Sequence, residues 1–449
     1  MHMCGSCLGF SFACQNWRCP HRCSPVYLRS NPTADGRAEL RLAVVSPFLD
    51  RVHGTERCIV EQLERLAARD DMEIHIYSQR IADLNGVAHY PASLSSSRIL
   101  WHKIPAIPGP HLFAYIWWLI ANHLQRFWDS RIRGIKFDLL YSPGINALDS
   151  DVIAVHIVFH EFYKQVRGHL SLGKAAPTRW PRLLHRLVYY HLIMALERLV
   201  YRRPAVSLSS VSGLVASQLA EYFKRSDVVV IPNSVDTTRF SCSQRKELRI
   251  SARDRFRVSS SDFVLLLIGN DWKKKGLDCL LAASAACREL SLKLLVVGSD
   301  RRAQYEAMAR NLGLAGDRVL FLDAAPDVMQ FYAAADAYVG PSLEDAYGLP
   351  ILEAMACGLP VIASSRAGVS EIITHRKNGM ILHSPQDAGE LAELLRELCA
   401  NPRFCEQIGR EAALTAAEQT WDRNAAAVWD LLSQAATKKR RLAIRQESR

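Results

Sequence analysis

Short apolar runs bounded by proline, glycine or polar residues alternate along this chain with segments whose apolar positions recur at three- and four-residue spacing. The first pattern is that of strands buried on both faces and the second that of amphipathic helices. Their regular alternation predicts parallel sheets covered by helices, an α/β fold class. In the first half, strands are expected at Leu40–Ser46, Glu73–Ser78, Phe137–Ser142, Val152–His156, Ala205–Ser210 and Val228–Ile231. The helices among them are Arg57–Arg69, Pro110–Trp128, Trp180–Arg202 and Ser212–Phe223, the last capped by Ser210 or Ser212. The second half repeats the scheme with strands at Phe263–Ile268, Lys293–Val297, Arg318–Leu322, Ala337–Gly340 and Val361–Ala363. Its helices are Leu277–Leu290, Pro326–Ala335, Ile351–Cys357, Asp387–Ala400, Arg403–Glu418 and Trp421–Ala436. A turn-rich segment at Pro232–Asp236, with few apolar residues after it until Phe263, marks a domain junction.

Length supports that division, since 449 residues exceed one ordinary core at roughly 150 residues per domain. Residues 1–37 show no periodicity and read as an unassigned leader, and the basic tail Lys438–Arg449 is expected to fray. Within the leader, Cys4-x-x-Cys7 has the short spacing of a zinc site. No second tight pair follows, so the leader reading is preferred. The seven cysteines outside the leader lie in apolar contexts, as in a reducing cytosol. The net charge of +11 is concentrated in the first half: six basic residues face one acid from Arg98 to Lys136, and nine face one from Lys164 to Arg203. Such a surface attracts anionic lipid, phosphorylated substrates or nucleic acid, and no stacking-aromatic module supports the last. No signal peptide is evident, and Ile104–Leu124 is too interrupted by proline, histidine and asparagine to span a bilayer. The apolar face of the Pro110–Trp128 helix reads as core packing, with docking on a membrane surface as the alternative.

The chemistry gathers around Tyr338–Ala363. A strand stops at Pro341-Ser342, a loop carries Glu344, Asp345, Ala346, Tyr347 and Gly348, and Leu349-Pro350 starts a helix that stops at Gly358. A helix start of this kind offers free N–H groups and partial positive charge to an anion such as a diphosphate. Glu353 stands within a turn of it, able to accept hydrogen bonds from sugar hydroxyls. Elsewhere, Gly54-Thr55-Glu56 opens a helix after the first strand, where glycine lets a ligand approach the backbone. His156 ends a strand where ligands of parallel sheets bind, with a satisfied structural histidine as the competing reading. His160 and Glu161, in a following loop, are weaker candidates.

Residues 40–432 resemble the retaining nucleotide-sugar glycosyltransferases of family 4. Gly54-Thr55-Glu56 resembles their glycine-rich acceptor-side loop, His156 their first-domain histidine, and Val230–Asp236 with Phe240 their interdomain linker motif. Gly269 through Gly276 resembles their phosphate-binding loop, and Asp345 with Glu353 their paired-acid signature. The resemblance implies two doubly wound domains facing across a cleft, the B-type glycosyltransferase fold. Residues 38–232 would form the acceptor-side domain and 233–420 the donor domain, with the 421–436 helix packing back on the first. It implies sugar transfer from a nucleoside-diphosphate sugar to a glycan or lipid-linked acceptor, with the anomeric configuration kept and neither metal nor cofactor required. Lys275 and Lys274, with N–H groups around Tyr347, Gly348 and Leu349, would meet the diphosphate beside Gly269. Glu353 would hold the ribose, Asp345 would orient the donor sugar, His156 would sit at the reacting face, and Gly54 and Thr55 would lie on the acceptor side. A cytoplasmic enzyme of polysaccharide or lipopolysaccharide synthesis, in peripheral contact with an anionic membrane, is the expected setting. Two positions depart from the pattern: Asp345 replaces a glutamate, and Asn270 stands where an arginine is common. They keep open a catalytically silent nucleotide-sugar-binding homologue; an epimerase on the same fold is the other alternative. Glycosidase chemistry would need two carboxylates at about 5 Å, to which nothing in the sequence points.

Overall fold

The computed structural model describes residues 40–90, 98–167, 180–314, 316–325 and 327–447, so the cysteine-rich leader and its Cys4-x-x-Cys7 pair lie outside the described residues. In the first half the elements are β1 (Leu40–Val45), β2 (Phe48–Leu49), α1 (Gly54–Ala67), β3 (Met72–Ser78), β4 (Arg80–Ile81), β5 (Val87–His89), β6 (Ile99–Lys103) and α2 (His111–Arg131). They continue with β7 (Leu139–Pro143), β8 (Val152–Val155), α3 (Phe159–Val166), α4 (Trp180–Tyr201), β9 (Ser207–Ser210), α5 (Gly213–Phe223) and β10 (Val229–Val230). Eight strands pair in parallel in the order β10-β9-β8-β7-β1-β3-β6-β5, and β2 pairs separately with β4. The chain direction across the sheet reverses between β1 and β7.

The second half contains α6 (Cys242–Arg255), β11 (Phe263–Ile268), α7 (Leu277–Ala286), β12 (Leu292–Val297), α8 (Arg302–Asn311), β13 (Val319–Leu322) and α9 (Met329–Ala334). After these come β14 (Ala337–Gly340), α10 (Leu349–Ala356), β15 (Val361–Ser364), β16 (Met380–Leu382), α11 (Ala388–Ala400), α12 (Pro402–Ala417) and α13 (Trp421–Glu447). Six parallel strands run in the order β13-β12-β11-β14-β15-β16, reversing between β11 and β14. Loops leaving the strands on either side of such a reversal diverge to opposite faces and leave a crevice at the carboxyl ends. The β11 exit loop begins at Gly269 and the β14 exit loop ends at Gly348, so both flank the crevice of the second sheet. Helix α13 crosses back, burying Val428, Leu431 and Leu432 with Leu42 and Ile74 of the first sheet.

One unassigned segment and two local expectations are resolved. Segment 242–255 is a helix, although its sequence has almost no apolar stripe. Ser241 caps it, and Arg253 binds the carbonyls of Ala334 and Asp262 and the carboxylate of Asp336. His160 and Glu161 lie on α3, not in a loop. The basic tail does not fray at Lys438: α13 continues to Glu447, with Lys438 donating to the Pro204 carbonyl and Lys439 to Asp151. Helix α2 has two apolar sides. Trp118 and Ala121 enter the core, while Phe113, Ile116, Ile120, Leu124 and Phe127 stay exposed in a stripe.

Candidate active site

Glycine chemistry shapes the donor-side loops. Gly276 has φ +76°, and a Cβ there would lie 1.9 Å from the Pro341 carbonyl oxygen, so this contact between the β11 and β14 exit loops admits glycine alone. A Cβ on Gly269 would lie 2.7 Å from Lys275 Cε, so the lysine stem packs directly over that glycine. Lys275 Nζ then reaches Asp345 Oδ2 at 2.6 Å. Lys274 turns aside, its ammonium 4.4 Å from the Phe162 ring centroid on α3, where burial lowers its pKa. Asn270 braces the loop: its Oδ1 accepts from the Ser299 N–H at 2.8 Å.

Gly348, at φ +94°, precedes α10 without any side-chain cap, which leaves the Gly348 and Leu349 N–H groups without a partner among the described residues, whereas the Tyr347 N–H donates to Asp345 Oδ1 at 3.3 Å. Tyr347, just before, is buried with its hydroxyl unpartnered, and burial raises its pKa. Opposite stands the start of α1, also without a side-chain cap; a Cβ on Gly54 would be 3.7 Å from Leu349 Cδ1. Thr55 follows in the same turn. Glu353, one turn into α10, is buried, and both its oxygens are engaged. Oε1 takes Arg57 Nη2 of α1 at 2.6 Å, and Oε2 takes the Tyr332 hydroxyl at 2.6 Å. His156 follows β8, buried, with no side-chain hydrogen bond among the described residues; burial lowers its imidazole to about 4, so it is neutral near pH 7.

The structure thus brings Gly54, Lys275, Asp345, Leu349 and Glu353 into one crevice. It separates Glu344 from Asp345, for Glu344 accepts from Gln165 and from Gln218 (3.2 Å) of the first half. Glu344 therefore does not substitute for Asp345 at Lys275. His160 is tied to buried Glu197 at 2.7 Å and takes the structural role. Arg57 and Tyr332 were not singled out from the sequence; Arg57 stands three residues after Gly54, on the same helical face, which was the available signal. Further bonds cross between the halves. Ser212 donates to the Ala346 carbonyl at 2.7 Å, and the Gly213 and Leu214 N–H groups hold Glu371 at 2.9 and 2.8 Å. Beside this crevice lies an open cleft of about 1730 Å³. Arg182 and Arg186 of α4 form one wall, and Lys274, Arg301 and Arg366 stand on the other.

Residues 249–415 match the family model for glycosyl transferases group 1. The chain is 30% identical over 383 residues to the D-inositol 3-phosphate glycosyltransferase of Pseudarthrobacter chlorophenolicus, covering 82% of this chain and 87% of that protein. It is 27% identical over 292 residues to the lipopolysaccharide glucosyltransferase WaaG of Escherichia coli, covering 63% and 71%. Among solved structures, WaaG superposes with a TM-score of 0.67 at 20% identity over 87% of this chain and 99% of that one. Anabaena HepE in complex with UDP and glucose does so with 0.62 at 19% identity, over 88% and 100%. The chain belongs to the glycosyl transferases group 1 family, and its two Rossmann-like domains form the B-type glycosyltransferase fold.

Proposed function

We propose that this protein transfers a sugar from a nucleoside-diphosphate sugar to a glycan or lipid-linked acceptor, with retention of the anomeric configuration. The observation that carries the reading is the convergence of Lys275, Asp345, Glu353 and the uncapped start of α10 at the strand-order reversal of the second sheet. Departure of a diphosphate builds negative charge on its β-phosphate. Fixed N–H groups and a lysine aimed there stabilise that charge more in the transition state than in the ground state. In this reading Lys275 and the Gly348 and Leu349 N–H groups meet the phosphates beside Tyr347, Glu353 holds the ribose and Asp345 orients the sugar. Neutral His156 lies at the reacting face, Gly54 and Thr55 line the acceptor side, and protein cations serve in place of a metal or cofactor. A fold neighbour whose structure contains UDP and glucose supports such a donor.

The acceptor we assign is anionic and membrane-borne. The exposed stripe of α2 continues onto α4 through Leu184 and Val188, since Phe113 packs by His185 and Tyr115 by Tyr189. The basic wall of Arg182 and Arg186 opens beside it, so a lipid anchor and a charged headgroup find adjacent surfaces. Among the described residues no helix is long and apolar enough to cross a membrane. The seven described cysteines are free thiols, which suits the cytoplasmic face. The similarity to WaaG favours lipopolysaccharide or polysaccharide synthesis. Incubation with a panel of nucleotide sugars, with and without membrane extract, tests the reading: acceptor-dependent loss of donor with a glycosylated lipid product is expected. Change of the donor sugar alone would mean an epimerase, and nucleotide binding with no turnover a silent homologue.

A further inference from the structure

In the β11 exit loop Lys273 lines the open cleft, Lys274 lies on Phe162 and Asn270 accepts from the Ser299 N–H, while Lys275 is paired with Asp345. A second pair of the same kind stands across the crevice. Arg57 Nη2 contacts Glu353 Oε1 at 2.6 Å, with side chains only 22% and 6% exposed, and it joins residues from the two halves of the molecule. Each acid of the pair Asp345 and Glu353 thus holds one cation.

Arg57 is placed to do more than neutralise Glu353. Gly54, on its own helical face, packs against Leu349, the first residue of α10, so the first turns of α1 and α10 lie against one another. Glu353 is one turn below Leu349. The guanidinium is therefore within about one helical pitch, ~5.4 Å, of the free N–H groups at the helix start, a distance that rotation of its side chain covers. If Arg57 moves, Glu353 keeps the Tyr332 hydroxyl and frees Oε1 to accept from other donors. A planar guanidinium also presents paired donors to phosphate oxygens, which an ammonium cannot.

We propose that Arg57 is a ligand of the donor's diphosphate, exchanging Glu353 for the phosphate oxygens when the donor binds. It supplies from the first domain a cation in addition to Lys275 of the second. The assignment rests on the nucleotide-sugar reading above. Because the contact crosses the crevice, donor binding then joins the two halves through a phosphate where a carboxylate had joined them.

The test is the affinity gained by adding a diphosphate to a nucleoside, measured by calorimetry. The probes are UDP, GDP and ADP against uridine, guanosine and adenosine, titrated into wild type, Arg57→Met, Arg57→Lys and Glu353→Gln. The ratio of nucleoside to nucleoside-diphosphate dissociation constants is expected to fall about 10- to 100-fold in Arg57→Met, the scale of a charge-assisted hydrogen bond. It should recover in part in Arg57→Lys, with nucleoside affinity unchanged in both. Glu353→Gln, which weakens the hold on Arg57, should raise the ratio even as nucleoside affinity drops, and this variant keeps the question open to answer if Arg57→Met does not fold. An unchanged ratio in Arg57→Met or Glu353→Gln, or equal losses for nucleoside and diphosphate, overturns the assignment alone. Wild-type protein that binds none of the three diphosphates overturns the donor reading and the assignment with it.

Discussion

Single residues in the crevice carry opposed charges in contact, and each contact makes a measurable demand. Lys275 is held between Gly269 and Asp345, so its ammonium cannot drift from the crevice. Replacing it with alanine should lower kcat roughly 10²- to 10³-fold, the cost of removing one preorganised donor to developing charge, with arginine restoring only part. Steady-state kinetics on the active donor decide this, and a kcat unchanged in Lys275→Ala removes the lysine from the mechanism. His156 makes a prediction about stability. Burial depresses its folded pKa to about 4, against an unfolded value near 6.5. The unfolded chain therefore binds the extra proton between those values. The neutral imidazole's contribution is whole above about pH 6.5 and drains away as pH falls toward 4. Urea unfolding of wild type and His156→Asn should show the wild type losing up to ~1.4 kcal/mol more per pH unit within that window, and parallel curves would refute it.

At the scale of elements, α6 shows how a helix without an apolar stripe is secured. Asp336 accepts from the Val264 N–H and from Arg253, and joins Arg249 as well; Arg245 and Arg249 donate to the Ala335 carbonyl. The helix is fastened through guanidinium groups to the end of α9 and the start of β11. Arg253→Ala leaves Asp336 and several buried carbonyls short of a donor and should destabilise the protein by about 3 kcal/mol. Chemical denaturation would reveal a smaller role if the loss stays below 1 kcal/mol, the range of an exposed ion pair. The α2 stripe makes the converse case, apolar residues that the fold leaves outside. Arg126, one of the basic residues counted toward a positive surface, is in fact buried and bidentate on Asp149 at 2.7 and 2.9 Å. Arg131, close to Phe127, is exposed at this helix end, as is Arg133 beyond it.

Over the whole molecule, the exposed stripe meets the basic cleft: Phe113 packs by His185, which lines that cleft together with Arg182, Arg186 and Lys274. A triple Phe113→Ser, Ile120→Ser, Phe127→Ser variant should bind anionic vesicles roughly tenfold more weakly in sedimentation, while nucleotide affinity in solution is unchanged. Equal vesicle binding would separate this surface from the membrane. Much of this architecture was legible in the chain. The apolar runs from Leu40 to Val361 located the long strands, because a strand buried on both faces must be apolar throughout. The glycines at 269, 276 and 348 stand in the loops expected, since only glycine meets such close approaches or positive φ cheaply, whereas Gly54 opens α1 in ordinary contact with Leu349. Short edge strands such as β5 and the polar α6 escaped, because neither buries enough apolar surface to leave a periodic mark. What only the tertiary structure decided is which charges meet. Arg57 and Glu353 are 296 positions apart, and their pairing depends on how two independently patterned sheets pack. Likewise the periodicity of α2 announces apolar faces without saying which one a neighbouring element covers. Local sequence sets the preferences of each segment through backbone sterics and burial. Contacts across the crevice are set by the packing of one domain on the other, which no local pattern encodes.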